Sequence, residues 1–165
     1  MDTVYIETSI VSHATAKPTS DVTTAVLQIQ AKRWMVEQRK NYKVVTSQLV
    51  VAEASSGDSD AAARRLAILA DIPILAENPE VDTVADELIL RSLIPENARV
   101  DALHVAIAAL AGVQYLLTLN CRHIANASVL PRVYRLLDEL GLSGILICTP
   151  MEFLGGSGHD KQPNT

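Results

Sequence analysis

Four residues stand where a run of apolar side chains gives way to a polar group. Glu7 ends the apolar run of TVYIETSI (3–10), and Glu53 sits in SQLVVAEAS (47–55). Asp101 opens VDALHVAIAALAG (100–112), and Asn120 follows the apolar start of LLTLNCRHIAN (116–126). Three carboxylates and one carboxamide are hard oxygen donors, the set that suits Mg2+ or Mn2+ rather than zinc. A pair of carboxylates about 4 Å apart repels by about 4 kcal/mol at an effective dielectric near 20. That is a large part of the ~5–15 kcal/mol that stabilises a domain. Acids brought together in one pocket therefore need a proton or a cation. Taken singly, each has a plainer role: Glu7 as a turn cap, Glu53 at a helix edge, Asp101 in a helix first turn, Asn120 in a turn. His104, one turn after Asp101, lies on the same side of its helix. It is assigned to packing or to support behind the acids.

The elements that must position these residues alternate along the chain. Short apolar runs predict strands at 3–6, 43–46, 71–76, 115–118 and 144–149, with Pro73 placing the third near an edge. Helical spacing covers about 21–40, capped by Asp21, and a short helix follows the Ser47 cap and stops at Gly57. Further helices are predicted over about 58–70, 79–91, 97–111 and 128–140, the last two ending at Gly112 and Gly141. Alternating strands and helices imply one doubly wound α/β domain with a parallel sheet covered on both faces. Ligands of such sheets bind beyond the carboxyl ends of the strands. Glu7 and Asn120, following the first and fourth strands, would share that crevice if those strands are neighbours.

Composition narrows the function classes. The 165 residues are 48% apolar but only 4% aromatic, so the interior is built from Ala, Val, Ile and Leu. A net charge of −5, from 14 basic and 19 acidic residues, argues against a general polyanion binder but not against an enzyme whose acids hold cations. Two distant cysteines, Cys121 and Cys148, make neither a CxxC cluster nor a disulfide framework. No run of 18 apolar residues exists, and Asp2 spoils a basic secretory leader, so a soluble, cytoplasmic protein without membrane contact is expected. YIETSIVS holds no glycine, which removes the phosphate loops of dinucleotide and nucleoside-triphosphate sites. The last segment, GGSGHDKQPNT (155–165), reads as a flexible tail after a domain at 1–154.

In order and spacing, YIETS, SQLVVAEAS, DALHVAIA and LLTLNCRHI together resemble the PIN domain. This is the nuclease fold found in toxins of bacterial and archaeal type II toxin–antitoxin pairs. The resemblance covers nearly the whole chain. It implies a three-layer α/β/α sandwich around a five-stranded, mainly parallel sheet of order 3-2-1-4-5. It also implies metal-dependent hydrolysis of RNA phosphodiester bonds. Glu7, Glu53 and Asp101 would hold one or two Mg2+ or Mn2+ ions, with Asn120 completing coordination or orienting a water. Thr8 or Ser9 at a helix start, Thr118, Arg122 and His123 are the candidate substrate contacts. A homodimer and a small antitoxin partner are further implications, with the 21–40 helix and Trp34 as a partner surface or Trp34 as a core anchor. Two positions depart from the family pattern: Glu7 stands where Asp is usual, longer by ~1.5 Å, and Asn120 stands where an acid is common. A catalytically weak or inactive PIN-like module that binds RNA or protein is the alternative reading.

Overall fold

The computed structural model describes residues 1–154; the predicted tail at 155–165 lies outside the described residues. The chain runs β1 (Thr3–Ile6), α1 (Thr8–Thr15), α2 (Val22–Arg33), β2 (Lys43–Val45), α3 (Gln48–Ala54), α4 (Ser59–Leu69) and α5 (Val81–Leu90). It continues through α6 (Arg99–Leu110), β3 (Tyr115–Leu117), α7 (Leu130–Glu139), β4 (Leu146–Cys148) and α8 (Pro150–Leu154). The four strands form one parallel sheet of order β2-β1-β3-β4.

Successive strand residues point to opposite faces, and Val4, Tyr5, Ile6, Leu116 and Leu117 are all fully buried. Both faces of the sheet are therefore covered, as α/β layering requires. Tyr5 and Trp34 are the aromatic members of a mainly aliphatic core, with Tyr42, Tyr115, Tyr134 and Phe153 packed against its margin.

The sheet has four strands rather than the expected five. The 71–76 segment contributes a single parallel bridge, Thr46 to Ile74, beyond β2. Thr46 N–H donates to Pro73 O (2.9 Å) and Leu75 N–H donates to Thr46 O (2.8 Å). The next donor toward the N-terminus would be residue 73, and proline has none. Toward the C-terminus, the partner chain turns into α3 after Ser47. The pairing is closed off on both sides, so no strand can grow.

Side-chain caps open α2, α3 and α4, the first two as the sequence suggests. Asp21, Ser47 and Asp58 accept N–H bonds from Thr24, Val50 and Ala61. Gly112 and Gly141 follow α6 and α7 with φ of +67° and +73°, the left-handed conformation that ends a helix. The predicted 21–40 helix is continuous in path but changes winding: α2 passes into a π-helical turn at Trp34–Gln38 and a 3-10 turn at Arg39–Asn41. Trp34 is fully buried, which settles it as a core anchor and removes it from any partner surface. Among the described residues, no helix is long and apolar enough to cross a membrane.

Candidate metal centre at the carboxyl end of the sheet

From β1 the chain turns to β2 on one side, and β3 lies on the other, so the topological switch falls between β1 and β3. Glu7 follows β1 directly and Thr118 follows β3, with Glu7 N–H donating to Leu117 O across the gap (3.1 Å). Glu7 has extended backbone geometry (φ −87°, ψ 161°) and serves as the N-cap of α1. By strand alternation its side chain falls on the face that Tyr5 occupies.

The two oxygens of Glu7 have different duties. Oε2 accepts from Ser9 N–H (3.1 Å), Ser9 Oγ–H and Thr118 Oγ1–H (2.7 Å). Those hydroxyls are themselves held: Ser9 Oγ accepts Leu119 N–H (2.8 Å) and Thr118 Oγ1 accepts Asn120 N–H (3.0 Å). Among the described residues Oε1 accepts no hydrogen bond, and it lies 4.0 Å from His104 Nε2. The expected turn cap and the expected site acid are thus one residue, with one oxygen for each role.

Glu53, on the last turn of α3, repeats the pattern. Its Oε1 accepts from Thr8 Oγ1–H (2.6 Å) and pairs with His104 Nε2 (2.5 Å). Partial burial pushes its carboxyl up, but the hydrogen bonds from His104 and Thr8 outweigh that and hold it below the usual carboxylate range. Its Oε2 accepts no hydrogen bond among the described residues.

Behind this pair stands a buried polar chain. His104 and Tyr5 are fully buried, and Tyr5 Oη lies 2.8 Å from His104 Nδ1 and 2.7 Å from Ser47 Oγ. Ser47 Oγ in turn accepts Val50 N–H at the start of α3 (3.2 Å). Burial raises the Tyr5 hydroxyl well above the ordinary phenol range, against the lowering effect of Ser47, and Glu7 and Glu53 push it further up. Tyr5 remains a neutral phenol that can both donate and accept.

Glu7, Glu53 and His104 each offer one donor atom, all within 4.8 Å of one another. At that spacing two carboxylates repel by about 3–4 kcal/mol at an effective dielectric near 20. Hydroxyl and imidazole donors offset part of this, and a divalent ion would offset more. Each carboxylate keeps an uncommitted oxygen. The donor set therefore fits a divalent metal.

The remaining sequence-predicted residues fall around this centre. Asp101 lies in the first turn of α6, half-buried, one turn ahead of His104, but it is outside the three-residue donor group. Asn120 reaches the site only through its backbone N–H on Thr118. Its Oδ1 accepts His123 N–H (3.0 Å) and its carbonyl accepts Ala125 N–H (2.8 Å), so its carboxamide shapes the turn after β3. Thr8, Ser9 and Thr118 direct their hydroxyl protons at the carboxylates. Arg122 is exposed and His123 half-buried, and neither side chain has an ion pair among the described residues.

His104 is the member that sequence reasoning left out of the metal set, and Tyr5 and Ser47 were not singled out as its supports. The available signal was the i, i+3 spacing to Asp101 and the i, i+2 alternation of Tyr5 with Glu7. A mainly apolar cavity of about 540 Å3, lined by Leu49, Ala52, Leu75, Val81 and Ile107 among others, borders α3 and includes none of Glu7, Glu53 and Asp101. Compared with protein-family models and with curated proteins, the chain matches none.

Proposed function

We propose that this protein is a metal-dependent endoribonuclease of the PIN type, hydrolysing RNA phosphodiester bonds at the Glu7–Glu53 centre. The observation that carries the reading is the convergence of two carboxylates and an imidazole at the switch point of a parallel sheet. Glu7 and Glu53 would hold an Mg2+ or Mn2+ ion through their uncommitted oxygens. Such an ion supplies a bound water of lowered pKa and neutralises charge gathering on the phosphate.

The chain's own groups then have defined tasks. Ser9 and Thr118 fix Glu7, and Thr8 fixes Glu53, so both carboxylates are oriented before any substrate arrives. Asp101, on the half-exposed rim, extends the negative charge toward solvent and would order a second ion or a water. Arg122, exposed beside the Asn120 turn, would meet an RNA phosphate, with His123 next to it. The exposed apolar residues of α2 and the following turn, Val22, Val26, Ile29 and Val36, offer a surface for a second copy or an antitoxin.

One observation favours a second reading, a non-catalytic module that binds RNA or protein. The Glu53–His104 pair and the hydroxyl donors already satisfy one oxygen of each acid without an ion. The deciding experiment is cleavage of a mixed RNA substrate with Mn2+ by the wild type, Glu53→Gln and Asp101→Asn. The expected result is cleavage that EDTA stops and that Glu53→Gln reduces at least 100-fold, with a smaller loss for Asp101→Asn. Equal rates in wild type and Glu53→Gln would sink the nuclease reading.

A further inference from the structure

Two features of His104 go beyond its bond to Glu53 Oε1. Its Nε2 faces the gap between Glu7 and Glu53, and its Nδ1 is tied through Tyr5 to Ser47, entirely inside the protein. We propose that His104 Nε2 is a third ligand, beside Glu7 and Glu53. The centre would then take a transition-metal ion such as Mn2+, Co2+ or Zn2+ in preference to Mg2+, with Tyr5 as the residue that positions the imidazole. This rests on the divalent ion proposed above and adds the class of ion and the nitrogen donor.

The proton positions support it. A ring that gives its Nε2 lone pair to an ion must carry its proton on Nδ1. That proton has a waiting acceptor in Tyr5 Oη at 2.8 Å, Tyr5 can pass its own proton to Ser47 Oγ at 2.7 Å, and Ser47 also accepts Val50 N–H. Without an ion the chain runs the other way. Ser47 donates to Tyr5, Tyr5 donates to Nδ1, and Nε2–H donates to Glu53 Oε1 at 2.5 Å. Both arrangements keep the bonds of Tyr5 to His104 Nδ1 and to Ser47 Oγ in place. They differ by the turning of two hydroxyls and a change of ring tautomer. A metal-bound histidine with its second nitrogen held by a buried partner is the arrangement that orients ligands in metal sites.

The geometry of the acids agrees. Oε2 of Glu7 and Oε1 of Glu53 are held by hydroxyls, and the uncommitted oxygens are left for the ion. Mg2+ favours oxygen ligands and keeps its waters, whereas imidazole is a borderline donor that favours later divalent ions. A buried imidazole in the donor set therefore tilts the site away from Mg2+.

The test uses the full chain and the metals themselves. Wild type, His104→Gln and Tyr5→Phe would be titrated with Mn2+ and Mg2+ by calorimetry, and the Mn2+ complexes examined by electron spin echo for nitrogen coupling. Expected are Mn2+ binding at least tenfold tighter than Mg2+ and an imidazole nitrogen signal in the wild type that is absent in His104→Gln. Tyr5→Phe, which keeps the ring and its packing, should weaken Mn2+ about 10–100-fold while changing Mg2+ little. Mn2+ bound with no nitrogen coupling, or Mg2+ bound equally well, overturns this inference and leaves the nuclease reading standing. No Mn2+ bound by the wild type, with or without RNA, overturns both. Should His104→Gln fail to fold, the wild-type spectrum and Tyr5→Phe decide alone.

Discussion

Glu7 caps a helix and still keeps an oxygen for the proposed ion, because a carboxylate has two oxygens and Ser9 and Thr118 occupy only one. Thr118 is fully buried and directs its hydroxyl at Oε2. Thr118→Val keeps the shape and removes the donor, leaving a buried charged group one bond short. The expected cost is about 1–3 kcal/mol, seen as a lower urea midpoint with unchanged slope, accompanied by weaker Mn2+ binding. At this scale the sequence was partly legible. Glu7 and Glu53 are visible because each interrupts an apolar run. His104 is not, because a histidine on the most apolar helix reads as packing. Its partners Glu53 and Tyr5 lie 51 and 99 positions away, and no local spacing connects them.

Among the elements, α4 carries no site residue yet holds two helices that bear or support the acids. Arg64 Nε donates to Thr15 O at the end of α1 (3.1 Å). Arg65 donates to Ala54 O (2.9 Å) and Ser56 O (2.5 Å) at the end of α3. These are the carbonyls a helix leaves unpaired, and a cation there also opposes the negative end of the helix dipole. Glu53 sits on that last turn of α3, so its position depends on Arg65. Arg65→Met should lose about 1–3 kcal/mol of stability and weaken Mn2+ binding, both measured on one preparation by denaturant titration and calorimetry. The elements best read from sequence were those with strong caps, α2, α3 and α4. The least legible were α1, of which only a start at Thr8 or Ser9 was expected, and α8, which was not expected. TSIVSHAT is rich in β-branched residues that disfavour helix, and its cap is a glutamate rather than the usual Ser, Thr, Asp or Asn. Tertiary packing makes it a helix, with Ile10 and Val11 fully buried. The lost strand at 71–76 has the opposite cause, since β propensity was present and Pro73 removed the donor.

For the whole molecule, the alternation of strands and helices was enough to infer a parallel, doubly covered sheet and to place the site at its carboxyl end. The bonds that His104 and Thr8 make to Glu53 then set a response of the whole fold to pH. Glu53 titrates below the ordinary carboxylate range in the folded protein, while an unfolded Glu titrates near 4.3. Its contribution to stability is therefore present above about pH 4.3 and is lost as pH falls through the lower folded value. Denaturant midpoints recorded in EDTA from pH 7 to pH 3 should fall more steeply for the wild type than for Glu53→Gln. Parallel curves would mean that Glu53 carries no part of the acid sensitivity.

The bond from Thr118 to Glu7 joins residues 111 positions apart. Chains are made from the N-terminus at about 5–20 residues per second, so Glu7 waits roughly 6–22 s before Thr118 is even added. For all of that time, a growing chain carries the first acid without the hydroxyl that orients it, and for nearly all of it without β3. His104 arrives shortly before Thr118, and β4 later still. Any product of interrupted synthesis that stops between residues 53 and 118 thus holds Glu7 and Glu53 but lacks the hydroxyl that orients Glu7.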